Sequence, residues 1–198
     1  MKFLKFFEKK SNKSQLGGNL GKTNIDEDLL RFLYNDLKMR SFLDIGCGPG
    51  GMVFNASYIG FKARGIEGDP NSIPKDCPLI TQIDYRKNSS GLKNKFDIGY
   101  SCEFLEHIPA KYMKNYMEDF NLCKSIIITA APPGWGGIGH VNEQSEDYWI
   151  KNFSENNFQI DKKMTQKIRE ISCIKFAGKT RASKKQFIKN RGLFFNKI

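Results

Sequence analysis

The stretch FLDIGCGPGGMVF, from Phe42 to Phe54, places four glycines and a proline between two apolar runs. The short, mostly apolar FLDI before such a turn reads as a buried strand, and the apolar run after it reads as a helix. Strand, tight glycine turn and helix together make the first half of a βαβ unit. The pattern then repeats along the chain. KARGIEGD, LITQID, KFDIGYS and SIIITAAP read as further strands, and PAKYMKNYMEDFNLC and SEDYWIKNFSENN read as helices between and after them. A helix is expected ahead of the first strand, starting at Asn24 or Asp26, because Ile25, Leu29, Leu30, Leu33 and Leu37 recur at helical spacing. Steady alternation predicts an α/β, doubly wound, mostly parallel sheet with helices on both faces.

At 198 residues, with 39% hydrophobic and 13% aromatic residues, the chain can bury one substantial core. The net charge of +11 invites a nucleic-acid reading, but its distribution does not sustain it. Residues 1–22 carry six bases and one acid, residues 161–198 twelve bases and two acids, while residues 23–160 hold fourteen bases and eighteen acids. The excess therefore lies in the two ends, expected as a basic N-terminal arm over 1–22 and a basic segment near the C-terminus. An anionic partner docking on these ends, or simply a solvated lysine-rich surface, accounts for them. No apolar run reaches the roughly 18 residues of a membrane span, so a cytoplasmic protein is expected. The five cysteines lack a C-x-x-C pair, predicting reduced thiols and no metal site.

Glycines at 46, 48 and 50 let the backbone approach a ligand where a Cβ would collide. Gly46, Gly48 and Gly51 also fit the dinucleotide pattern G-x-G-x-x-G, so the loop alone does not choose between a nicotinamide cofactor and another nucleoside. Its neighbours favour a single nucleoside. Asp44 enters the loop, Pro49 removes an amide that a pyrophosphate would want, and Glu67 follows Gly50 by seventeen residues. A carboxylate there can accept from both ribose hydroxyls. Asp84 and Tyr85 suit an adenine amino group and a stacking face, although polar strand ends are common without either role.

FLDIGCGPG followed by GIEGD, QIDY and FDIGYSCEFLEHI resembles the class I S-adenosylmethionine-dependent methyltransferases over about residues 42–158. The resemblance implies one methyltransferase domain over 23–198, a seven-stranded sheet ending in an antiparallel pair (NFQIDKKM and GLFFNKI), and S-adenosylmethionine as cofactor, with S-adenosylhomocysteine as product. It implies that Asp44 and the backbone of Gly46, Cys47, Gly48 and Gly50 hold the methionine part. Glu67 and Gly68 would hold the ribose and Asp84 and Tyr85 the adenine, with Ser101, Cys102 and Glu103 closing over the cofactor. One departure is the basic insertion at about 165–191, where a short turn would suffice.

PPGWGGIGHVNEQSEDYW follows the apolar strand SIIITAA and must lie at the carboxyl edge of the sheet, where open α/β folds bind ligands. Trp135, His107 and Asn142 are candidates for contacting an acceptor there, and His140 has an intrinsic pKa suited to a general base. His140 and Asn142 can equally serve to brace the loop and cap the next helix, and Glu106 to pin the turn before Pro109. The expected reaction is methyl transfer to a hydroxyl of a small molecule or glycan. The alternatives are an RNA or DNA methyltransferase using the basic ends, or a cofactor-binding partner subunit without catalysis.

Overall fold

The computed structural model describes residues 19, 21–173, 175–176 and 186–198. The basic arm up to residue 18, residue 20, and residues 174 and 177–185 of the expected insertion lie outside the described residues.

In chain order the elements are β1 (Asn24–Ile25), α1 (Glu27–Asn35), β2 (Ser41–Ile45), α2 (Gly51–Ile59), β3 (Lys62–Glu67), β4 (Ile80–Gln82), β5 (Phe96–Cys102), α3 (Met113–Phe120), β6 (Cys123–Thr129), α4 (Glu146–Ser154), β7 (Phe158–Ile160), α5 (Lys162–Ile171), β8 (Lys175–Phe176), α6 (Phe187–Arg191) and β9 (Leu193–Lys197). Seven strands form one sheet in the order β4-β3-β2-β5-β6-β9-β7. The first five are parallel, and β9 runs antiparallel to both β6 and β7. The expected doubly wound sheet and terminal antiparallel pair are both present.

Why β2 is central is written in its side chains. Residues alternate across a strand, and here both faces are covered: Phe42 belongs to the apolar cluster of Leu29, Leu33 and Val53 on one side, Leu43 and Ile45 to that of Ile66, Phe120 and Phe195 on the other. Full burial of each such side chain contributes about 1.5–3 kcal/mol. Asp44 is the charged exception in this strand, and it is buried.

Of the two starts expected for the first helix, Asn24 and Asp26, the second is found. Asp26 is its N-cap, accepting from the Leu29 amide at 3.2 Å, while Asn24 and Ile25 pair antiparallel with Phe176 and Lys175. Asp26 is buried and also accepts from the Cys173 amide and the Ser172 hydroxyl, so one carboxylate joins the start of α1 to the end of α5. The expected basic insertion is in part regular structure. Asp161 caps α5 through the Met164 amide, and Thr165 and Ile168 of that helix are buried. Among the described residues no helix is long and apolar enough to cross a membrane, and the cysteines are free thiols.

Candidate functional site

The sheet order reverses between β2 and β5, because β3 and β4 lie to one side and β6 to the other. A crevice opens at the carboxyl ends of strands at such a switch point. Here it is a cavity of about 830 Å³ running from Asp44 and the glycine loop, past Glu67 and Tyr85, to His107 and His140.

The loop after β2 is held by its own hydrogen bonds. The Gly46 and Cys47 amides donate to the Ile66 carbonyl at 2.9 and 3.0 Å, and the Gly48 amide donates to a Glu67 carboxylate oxygen at 2.7 Å. These amides are therefore engaged within the protein, and what the loop turns to the cavity is a rigid surface. Gly46 has φ +77°, and a Cβ there would lie 2.3 Å from the Phe104 ring. Gly50 is the left-handed N-cap of α2 and, unlike Gly46, Cys47 and Gly48, does not line the cavity.

The Asp44 carboxylate lines the cavity and accepts no hydrogen bond among the described residues. Burial first, and then the Glu67 carboxylate, push its pKa well up. Such a group gains most from a positive ligand atom. Glu67 is also buried, and burial raises its pKa against the opposing effect of the amides it accepts from. Its second oxygen accepts from Asp69 N at 2.8 Å. Glu67 thus fixes the glycine loop and the turn after β3 while facing the cavity, a bracing role not read from the sequence.

The remaining expected cofactor residues divide. Gly68, Asp84, Tyr85, Cys102 and Glu103 line the cavity. Asp84 and Tyr85 fall in the turn beyond β4, two and three residues past its end. Asp84 pairs with Arg86, which lowers its pKa through that hydrogen bond. The Tyr85 ring is buried against Phe104 and Tyr116, with its hydroxyl donating to Asp119 at 2.7 Å. Ser101 does not line the cavity: it is buried within β5 and donates to the Ile45 carbonyl at 2.8 Å, pinning β5 to β2. Glu103 takes a left-handed φ of +54° and forms a 2.6 Å ion pair with Arg191, whose guanidinium also lies over Trp135. Asn19 and Lys22, assigned from sequence to a separate arm, contribute to the cavity wall.

At the other end the loop expected to carry the acceptor contacts is anchored at its base. The amides of Val141 and Asn142 both donate to the Glu106 carbonyl, and the buried Asn142 side chain donates to the Ile108 carbonyl at 3.2 Å. Asn142 braces the loop and does not reach the cavity. Ser145, not Asn142, caps α4. These bonds bring His140 against His107, with ring centroids 4.9 Å apart. The His107 Nδ1–H donates to the Gly139 carbonyl at 3.1 Å, and His140 Nδ1 meets a Glu143 carboxylate oxygen at 2.6 Å. Glu143 also accepts from the Gly134 and Gly136 amides, so it organises the loop. Its spacing of three from His140 was the available sequence signal. Burial lowers the His107 pKa, keeping that ring neutral near pH 7.

Beneath the two rings lies Glu106, wholly buried, its carboxylate oxygens making no well-formed hydrogen bond among the described residues, with the Glu106 and Ala131 amides near them. Burial, and next the Glu103 carboxylate, push its pKa well up. One donor atom each from Glu106, His107 and His140 lies within 4.8 Å of the others. The cysteines, from which no metal site was expected, take no part in this group, and the topology rather than any sequence motif assembles it.

No family model and no curated protein matches the chain. Solved structures do. Magnesium protoporphyrin IX methyltransferase from Synechocystis PCC 6803, with bound S-adenosylhomocysteine, is 15% identical with a TM-score of 0.58, over 87% of this chain and 81% of that one. An S-adenosylmethionine-dependent methyltransferase from Clostridium acetobutylicum ATCC 824 is 12% identical with a TM-score of 0.55, over 85% and 88%. The fold is that of class I S-adenosylmethionine-dependent methyltransferases. At these identities the likeness is one of fold, and the chemistry must be argued from the cavity.

Proposed function

We propose that this protein is a methyltransferase that moves a methyl group from S-adenosylmethionine to a hydroxyl of a small molecule or glycan. The observation that carries the reading is the continuity of the cavity, which joins a partnerless buried carboxylate at the end of β2 to a histidine pair at the acceptor loop. Its size, about 830 Å³, suits a cofactor and part of an acceptor together.

The residues present fit the cofactor. Asp44, desolvated and without a partner, matches a ligand bearing ammonium and sulfonium charge, because an opposite charge restores its ionised form. Glu67 can accept from ribose hydroxyls on the same face that holds Gly48. When bound, the cofactor supplies an electrophilic methyl: the O–C bond forms as the S–C bond breaks, the S–C pair stays on sulfur, and the hydroxyl loses its proton.

The chain's own part is to align the acceptor and handle that proton. His140 and His107 stand where the hydroxyl would arrive, and their Nδ1 contacts fix ring orientation. Trp135, Ile138 and Val141 are more than half exposed on the same loop, offering apolar contact to an acceptor. The acidic charge balance of residues 23–160 disfavours a phosphate track along the site.

The test is S-adenosylhomocysteine formation with panels of phenolic, sugar-hydroxyl, carboxylate and RNA acceptors. Turnover confined to hydroxyl acceptors is expected. Turnover with RNA or carboxylates alone would contradict the acceptor class, and cofactor binding without turnover on any panel would favour a non-catalytic subunit.

A further inference from the structure

Glu106 poses a problem that methyl transfer by itself does not answer. A wholly buried carboxyl group that makes no well-formed hydrogen bond among the described residues, and for which the nearby Glu106 and Ala131 amides and the Arg191 charge do not offset burial, costs stability unless a proton or a further cation compensates it. It faces the cavity, and directly against it are two imidazoles whose tautomers are set from behind. The bond from His107 Nδ1–H to Gly139 leaves the lone pair on Nε2, and Glu143 engages His140 Nδ1 in the same way. An acceptor behind Nδ1 is the arrangement that orients a ligating histidine and raises its basicity. Purely bracing histidines would need no such shared focus.

We propose that Glu106, His107 and His140 hold a divalent transition-metal ion that binds the acceptor's hydroxyl oxygen. The inference rests on reading the cavity as a methyl-transfer site. Two imidazoles and one carboxylate suit Zn²⁺, Fe²⁺, Co²⁺ or Mn²⁺, whereas Mg²⁺ prefers an all-oxygen shell. Three protein ligands leave positions open for the acceptor. An oxygen bound to the ion has a lowered pKa, so its proton passes to water and the oxygen forms the O–C bond as the S–C bond breaks with its electron pair on sulfur. His140 then acts as a ligand, and no separate general base is required. The ion also adds positive charge beside Glu106, where Arg191 is already paired with Glu103. Its place is fixed before any ligand arrives, because the Glu106 carbonyl anchors Val141 and Asn142, immediately beyond His140.

The test uses the full-length, chelator-stripped protein. Zn²⁺ binding is followed calorimetrically and Mn²⁺ binding by electron paramagnetic resonance, with S-adenosylhomocysteine binding measured on the same samples. Wild type should bind one ion, and Glu106→Gln, which keeps side-chain volume, should weaken binding at least tenfold, as should His140→Ala. Mn²⁺ relaxation should also respond to a hydroxyl acceptor in wild type. Absence of stoichiometric binding of either ion, or equal binding in wild type and both variants, overturns the proposal. S-adenosylhomocysteine binding without ion binding refutes the ion site and leaves the methyltransferase reading intact. Ion binding without S-adenosylhomocysteine binding supports the ion site and refutes that reading instead.

Discussion

Glu67→Ala separates a carboxylate that only contacts ligand from one that also builds the site. In the native structure Glu67 accepts from the amides of Gly48 and Asp69 at 2.7 and 2.8 Å in a buried setting. Each amide left without an acceptor costs about 1–3 kcal/mol. Against this, removing the carboxylate relieves its desolvation and its repulsion with Asp44. A net loss of about 1–3 kcal/mol follows, or a fall in Tm of about 2–12 °C for a chain of this length. Glu67→Gln should lose less, since its amide oxygen can still accept from one of the two N–H groups. Loss of the hydrogen bonds to ribose should weaken S-adenosylhomocysteine by about 1.5–3 kcal/mol, roughly 10–150-fold. Thermal melts of the ligand-free proteins and calorimetric titration measure the two effects separately. An alanine variant that melts within about 1 °C of wild type and binds with unchanged affinity would refute both assigned roles.

Asp44→Asn should behave oppositely in the ligand-free protein. Burial and Glu67 raise the Asp44 pKa, so its contribution to stability is fully present below the unfolded pKa and is lost as pH rises through the folded one. At neutral pH the substitution should raise Tm by about 2–4 °C, the shift for about 1 kcal/mol, with the gain shrinking towards acid pH while cofactor affinity falls; a lower Tm at pH 7 would contradict this. Arg191→Ala should destabilise by about 1–3 kcal/mol in urea melts by leaving Glu103 unpaired beside Glu106, and Arg191→Lys should recover only part because the planar fork is lost; a change below about 0.5 kcal/mol would show the pair to be idle. Deleting residues 1–22 should weaken S-adenosylhomocysteine measurably, since Asn19 and Lys22 help wall the cavity; unchanged affinity would return that segment to the status of a separate arm.

The sheet was legible because its signals are local. Phe42, Leu43 and Ile45 before a glycine turn specify β2 whatever surrounds them, and the alternation of SIIIT and GLFFN with helical stretches ordered the other strands. What was not legible depends on contacts between distant residues. Asp84 and Tyr85 look like the end of a strand, but β4 stops at Gln82. Ser101 looks like a cavity residue by position, but it lies within β5 with its hydroxyl turned to Ile45. The apolar spacing of Met164, Ile168 and Ile171 marks α5, yet the surrounding lysines made that segment look like an insertion. The histidine cluster is the clearest case: Glu106 and His107 are neighbours in sequence, but His140 joins them only through the hydrogen bonds between two loops. A buried acid beside a histidine at the end of a central strand was the one available hint.

The central claim is that the crevice at the β2–β5 switch point is an adenosyl-methionine site. Calorimetric titration of the wild-type chain with S-adenosylhomocysteine, repeated in the presence of excess NAD, tests it most directly. The account predicts one equivalent of S-adenosylhomocysteine bound, with an affinity NAD does not perturb. Absence of binding, or displacement by NAD, would contradict it.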